Sequence, residues 1–146
     1  MSRLPDFRLH DGTVIDHLPV GTAARALELL GLPREGPITV GINVPSPSIG
    51  RKDIVRVEGL FLETRELDRL ALLGPQLTVS IVRDGKISEK TVLDVPDRLI
   101  DILTCRNPTC VTHGEEVQTV FVKQEGFPYR FKCAYCERVT GADEGP

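Results

Sequence analysis

The sequence predicts an α+β protein in two parts: an N-terminal ferredoxin-like βαββαβ domain, then a small all-β domain that binds zinc. Three observations carry this. Residues 12–93 alternate short β-branched runs with two leucine-rich stretches of helical period. Asp84-Gly85 splits the last of those runs into a two-residue hairpin, which adds one strand to the basic pattern. Cys105, Cys110, Cys133 and Cys136 read C-x4-C and C-x2-C, held apart by about two dozen residues, the layout of a tetrahedral four-thiolate site.

The elements follow in order. Residues 12–17 (GTVIDH) read as a strand that Pro19 stops. In residues 20–30, Ala24, Leu27 and Leu30 fall on one helical face, and Gly31 and Pro33 end the helix. Residues 38–44 (ITVGINV) form a second strand, 45–52 (PSPSIGRK) a loop broken by two prolines and a glycine, and 53–61 a half-buried third strand. Thr64 is the expected N-cap of a helix to Leu73, with Glu66 in its first turn. Residues 77–83 and 86–93 flank the Asp84-Gly85 turn. Domain boundaries are expected at 1–93, a connector at 94–104, and 105–146. Leu99, Ile100, Ile102 and Leu103 make that connector apolar enough to pack rather than swing free. Beyond it, 117–123 and 128–133 read as strands around Glu125-Gly126.

Composition bounds the function. A net charge of −3 and 40% hydrophobic residues are ordinary for a globular protein, and no apolar run approaches a membrane span. The N-terminal residues lack the apolar stretch of a signal peptide, so a cytoplasmic location is expected, where thiols favour metal over disulfides. Iron can share this cysteine spacing; four thiolates close the shell, so His113 is read as a surface residue. A closed shell leaves no position for water or substrate, which argues for a structural metal. A zinc ribbon acting on nucleic acid is the competing class. Residues 105–146 oppose Arg106, Lys123, Arg130, Lys132 and Arg138 with Glu115, Glu116, Glu125, Glu137, Asp143 and Glu144, leaving no basic stripe for phosphates. The aromatics clustered there are expected to fill the small core, except Tyr135, which sits between the last two thiols and suits a partner surface. Asp16-His17 is the one candidate acid/base pair of the first domain, but neighbours on a regular strand face opposite ways unless the strand bends. Nothing else resembles catalytic machinery. Arg51, Lys52, Arg56, Lys86 and Lys90 supply positive charge, and such scatter usually marks a solvated face.

Taken together, GTVIDHLP (12–19), ITVGINVPS (38–46), GRKDIVRVE (50–58), LALLGPQLTV (70–79), the C-x4-C and KCAYCE (132–137) resemble the regulatory chain of aspartate carbamoyltransferase over nearly the whole sequence. The resemblance implies an allosteric domain that pairs into homodimers and binds nucleoside triphosphates, with CTP, ATP and UTP as effectors. It implies a zinc domain that docks on the catalytic chain, no catalysis by this chain, and feedback control of pyrimidine synthesis. Carried over by position, Asp16 and His17 match residues at the ribose and phosphates, Lys90 a phosphate-binding lysine, and Arg56 a ribose-contacting lysine. Leu9, Ile54, Val82 and Ile87 match contacts around base and sugar; Cys105, Cys110, Cys133 and Cys136 match zinc ligands; Asn107, Tyr135 and Glu137 match positions facing the catalytic chain. The chain departs from the family pattern at Asp6 and Arg8 in the first strand, at Arg56, at Ser80 in place of asparagine, and at Gly85 in place of tyrosine.

Overall fold

The computed structural model describes residues 9–141, so Asp6 and Arg8 lie outside the described residues. Strands β1 (Gly12–Leu18), β2 (Ile38–Ser46), β3 (Gly50–Glu58), β4 (Thr78–Arg83) and β5 (Lys86–Val92) form one antiparallel sheet in the order β2-β3-β1-β4-β5. Helices α1 (Ala23–Leu29) and α2 (Thr64–Ala71) connect β1 to β2 and β3 to β4. This is the ferredoxin-like order with β5 added at one edge. Ile15, Val55, Val57 and Val79 are buried in one cluster with Ala26, Leu30 and Leu70 from the helical segments. The strands' alternation therefore turns the opposite sheet face away from the helices.

Local chemistry moves several boundaries. The expected loop at 45–52 is mostly strand: β2 runs through Pro45 to Ser46, and β3 resumes at Gly50. The prolines misled because β2 is an edge strand, where a missing N–H costs no ladder bond. The third strand ends at Glu58 rather than residue 61, since Gly59 turns at φ 73°. Helix α1 starts only at Ala23 and buries Ala23 and Ala26, whereas Ala24, expected on the inner face, is exposed. Its first turn is satisfied from a distance: the fully buried Asp53 carboxylate accepts the N–H groups of Gly21 and Ala23, both at 3.0 Å, and that of Asn43 at 2.9 Å. In α2 the cap is Glu63, not Thr64; Glu63 and Glu66 form a reciprocal capping box. Asp84 and Gly85, at φ 52° and 74°, make the expected hairpin turn.

The second sheet has the order β6-β7-β8-β9, with β6 (Arg98–Ile100), β7 (Val120–Lys123), β8 (Arg130–Cys133) and β9 (Val139–Gly141). Strand β6 lies within the segment expected as a connector, and β9 was not anticipated. Leu99, Ile102 and Leu103 are buried, while Ile100 points out at 53% exposure. Phe121 and Phe131 are fully buried; Phe127 and Tyr135 are exposed. Leu93, Val95, Leu99 and Leu103 join the helix-side core to the cysteines in one continuous cluster.

Candidate functional site

The clearest site is built by two loops. Cys105 and Cys110 follow β6; Cys133 ends β8, and Cys136 lies in the turn before β9. Backbone bonds shape each knuckle: Cys110 N–H to Asn107 O at 3.1 Å, Cys133 N–H to Arg138 O at 2.9 Å, and Glu137 N–H back to Cys133 O at 2.9 Å. The last bond is closed by Glu137 at φ 67°. The four sulfurs all lie within 4.8 Å of one another, with Cys105–Cys136 at 3.5 Å and Cys110–Cys133 at 3.9 Å. Tetrahedral zinc with Zn–S bonds of about 2.3 Å sets sulfurs about 3.8 Å apart, so this donor set fits the ion. Zinc bound here would cross-link the two loops and neutralise thiolates that could not otherwise ionise side by side.

The surroundings treat the thiols unequally. The backbone N–H of Arg138 foremost pulls Cys136 down to about 6, against some burial and with help from the Asn107 side chain. The Thr112 hydroxyl, 3.2 Å from the Cys110 sulfur, lowers that thiol. Burial pushes Cys105 up to about 12. His113 is not a fifth donor: its Nε2 lies 2.8 Å from the Cys105 carbonyl oxygen. Around the site, Tyr135 and Glu137 flank Cys136, whose sulfur lies near Asn107. Tyr135 is 44% exposed and its hydroxyl donates to Gln118 O at 3.1 Å. The Asn107 Oδ1 accepts from the Thr109 N–H at 3.1 Å and hydroxyl at 2.9 Å, leaving its amide NH2 uncommitted to that turn.

The second site is the helix-free face of the larger sheet. Register places Thr39, Arg56, Val14, Ser80 and Lys90 in one row across all five strands. Asp16 pairs with Thr78, Gly12 with Val82, and Val82 with Ile87, so these residues share the same face, as Ile54 does by alternation from Arg56. Asp16, Ile54, Arg56, Val82, Ile87 and Lys90 thus share one face, spread over four strands. Leu9 precedes β1 half-buried, and the next residue's carbonyl accepts the Gly85 N–H at 2.8 Å, which ties that segment to the β4–β5 turn.

Asp16 and His17 show how adjacent strand residues can serve one region. A bulge interrupts the β1–β3 ladder between Ile15 and Leu18, and His17 sits in it at φ 58°. The Asp16 carboxylate accepts the His17 N–H at 2.6 Å and pairs with Lys52 Nζ at 2.8 Å. The His17 Nδ1 lies 3.0 Å from the Thr78 hydroxyl, leaving Nε2 free of that contact. Two adjoining cavities open beside this ring. One of about 380 Å³ is lined by His17, Ser48, Pro75, Gln76, Thr78 and Val92. The other, about 300 Å³, shares His17, Pro75 and Gln76 and is otherwise lined by Pro19, Val20, Ile49 and Arg51.

Lys52 was not singled out from sequence, although the alternation that presents Ile54 and Arg56 presents Lys52 too. Burial opposes ionisation of Asp16, but the Lys52 ammonium, the His17 N–H and the neighbouring charges outweigh it and hold the carboxyl below its ordinary 3.8. A depressed carboxylate stabilises the fold above its unfolded pKa, and that contribution disappears as pH falls through the folded value. Wild type should therefore lose stability more steeply than Asp16→Asn below about pH 4, measured as urea midpoints. Parallel pH profiles would remove the role given to this pair.

Both parts of the chain match known families. Residues 7–94 match the model described as aspartate carbamoyltransferase regulatory chain, allosteric domain, and residues 97–145 match the one for its metal binding domain. Curated proteins named aspartate carbamoyltransferase regulatory chain align along most of the length. That of Thermococcus gammatolerans is 46% identical over 136 residues, covering 92% of this chain and 90% of its own. That of Pyrococcus abyssi is 42% identical over 147 residues, covering 99% and 97%. That of Methanocaldococcus jannaschii is 37% identical over 138 residues, covering 94% and 93%. These matches disfavour a stand-alone zinc ribbon that binds nucleic acid. Among the described residues no helix is long and apolar enough to cross a membrane.

Proposed function

Because this chain belongs to the family of aspartate carbamoyltransferase regulatory chains and so serves an enzyme without being one, we propose that the helix-free sheet face binds the nucleoside triphosphates CTP, ATP and UTP as effectors. The observation that carries this reading is the row Arg56–Val14–Ser80–Lys90, with one cation at each end of a small centre and the Lys52–Asp16 pair beside it. Arg56 and Lys90 are exposed and can turn toward phosphates or ribose. Ser80 and Val82 line the floor, and Ile54, Ile87 and Leu9 supply apolar surface for base and sugar. His17 offers Nε2 to the phosphates at the cavity mouth. An arginine at position 56 brings a planar fork rather than an ammonium, so ribose and phosphate contacts gain direction there.

The zinc domain is the part that meets the catalytic chain. In this reading Asn107, Tyr135 and Glu137 form a docking surface held by Cys105, Cys110, Cys133 and Cys136 around one zinc ion. The allosteric domain runs from the N-terminus through residue 93, with 94–104 joining it to the zinc domain. Two copies pair through the allosteric domain along β2, an edge strand free of charged residues whose Val40 and Ile42 are exposed. By this reading the protein relays nucleotide levels to the committed step of pyrimidine synthesis.

Titrating CTP, ATP and UTP into the complex reconstituted with its catalytic chain, while following aspartate saturation, tests this directly. At least one triphosphate should shift the half-saturating aspartate concentration, and Lys90→Ala should weaken its binding about tenfold or more through loss of a charge-assisted contact. A complex indifferent to all three would overturn the reading.

A further inference from the structure

We propose that α2 is the strut that carries nucleotide occupancy to the zinc domain, and that Arg65 at its far end is the positioning residue that completes the link. The inference rests on the effector reading above and names its route. One end of α2 leads into the cavity wall. Beyond Ala71 the chain runs through Gly74, Pro75 and Gln76, and the last two line both cavities beside His17. Gly74 packs so closely on β1's exit that a Cβ there would lie 2.7 Å from Pro19 Cγ. A phosphate group entering beside His17 therefore presses on the segment that ends α2.

The other end holds the second sheet. An Arg65 Nη donates to the Asp101 carbonyl at 2.7 Å, and its other Nη lies 3.5 Å from an Asp101 carboxylate oxygen. Asp101, in the joining segment, is fixed to the second sheet: it follows β6, and its N–H donates to Thr119 O at 2.8 Å. The Thr119 hydroxyl in turn donates to Leu103 O at 2.6 Å. A cation in the first turn of a helix opposes the helix dipole, so Arg65 is unfavourable for α2 itself and gains its partner from the other domain. Leu70 and Ala71, the last two residues of α2, are buried in the core and fix that end, and eight residues of helix span about 12 Å. A hydrogen-bonded helix of only two turns, anchored by its last residues, moves as a body, so displacement at Gly74–Gln76 reaches Asp101 through Arg65.

The test uses the complex reconstituted with the catalytic chain, carrying Arg65→Ala or Arg65→Lys, with CTP and ATP as probes. Nucleotide affinity of the free regulatory chain should stay within about twofold of wild type, whereas the effector-induced shift in half-saturating aspartate should shrink about fivefold or more in Arg65→Ala. Arg65→Lys should restore part of it, since an ammonium reaches one of the two acceptors but lacks the fork. A full effector shift in Arg65→Ala with nucleotide bound overturns the strut and leaves the functional reading standing. A matching loss of nucleotide affinity in the free chain also overturns it, because Arg65 would then act on the pocket itself. A wild-type complex that ignores every triphosphate overturns both.

Discussion

Cys133→Ser unfolds the zinc domain and abolishes association with the catalytic chain, while the five-stranded sheet stays folded. Cys133 is fully buried, ends β8 and anchors the turn that carries Cys136, Tyr135 and Glu137. Its loss leaves three donors and a hydroxyl in a site shaped for four sulfurs. The strands around it number three or four residues each, too few to hold the module on apolar burial alone. Metal binding is then folding free energy, of order 10 kcal/mol in small zinc modules, so affinity for the partner should fall by more than about a thousandfold. Chelation should act alike. The larger sheet survives because Ile15, Leu18, Val55, Val57 and Leu70 are supplied by its own elements, but it should lose some stability with the packing of Leu99 and Leu103. Metal analysis, circular dichroism and co-sedimentation with the catalytic chain check this; an intact complex after verified zinc loss would refute it.

Gly12→Ala destabilises the first domain by about 3 kcal/mol, although it adds only one methyl group. Gly12 opens the central strand at φ 152°, a conformation that side chains avoid, and an added Cβ would lie 2.2 Å from the Val57 carbonyl oxygen. That oxygen belongs to the backbone of β3, so no rotamer change relieves the clash. Relief requires β1 to part from β3, beside the Gly12–Val82–Ile87 end of the face proposed to bind nucleotide. Nucleotide affinity should therefore fall with stability. Urea unfolding followed in parallel with nucleotide titration measures both, and an unchanged midpoint would show that the strand start can yield.

Where pattern and backbone agree, the fold is legible from sequence. The Asp84-Gly85 hairpin, the succession of strands and helices along the first domain and the cysteine cluster follow from local residue types. What stayed hidden depends on contacts between distant segments. Pro45 lies in a strand because that strand is an edge, which no local window reveals. Asp53 looks like a solvated charge yet caps α1 from across the fold. Glu63 displaces Thr64 as the cap because Glu66 closes a reciprocal pair with it. The four thiols are readable as a unit through their spacing, whereas Lys52 reads only as one of five scattered cations, although it shares the parity of Ile54 and Arg56. The bulge at His17 mattered most: on a regular strand Asp16 and His17 would face opposite sides of the sheet, and residue types alone give no sign of the bulge beyond the nearby Pro19.

The two margins of the larger sheet have opposite chemistry, and this bears on how many copies can assemble. β2 reads ITVGINVPS, without a charge and with Ile42 at 64% exposure. β5 reads KISEKTV, is exposed along its whole length, and carries Lys86, Glu89 and Lys90 next to a ladder irregularity. Lysines and bulges on a margin discourage further strand addition. Two copies joined along β2 would use up the permissive margin of each and present only β5 outward. Growth would stop at the pair instead of running on into a fibre, so the lysine proposed to hold a phosphate would also limit polymerisation.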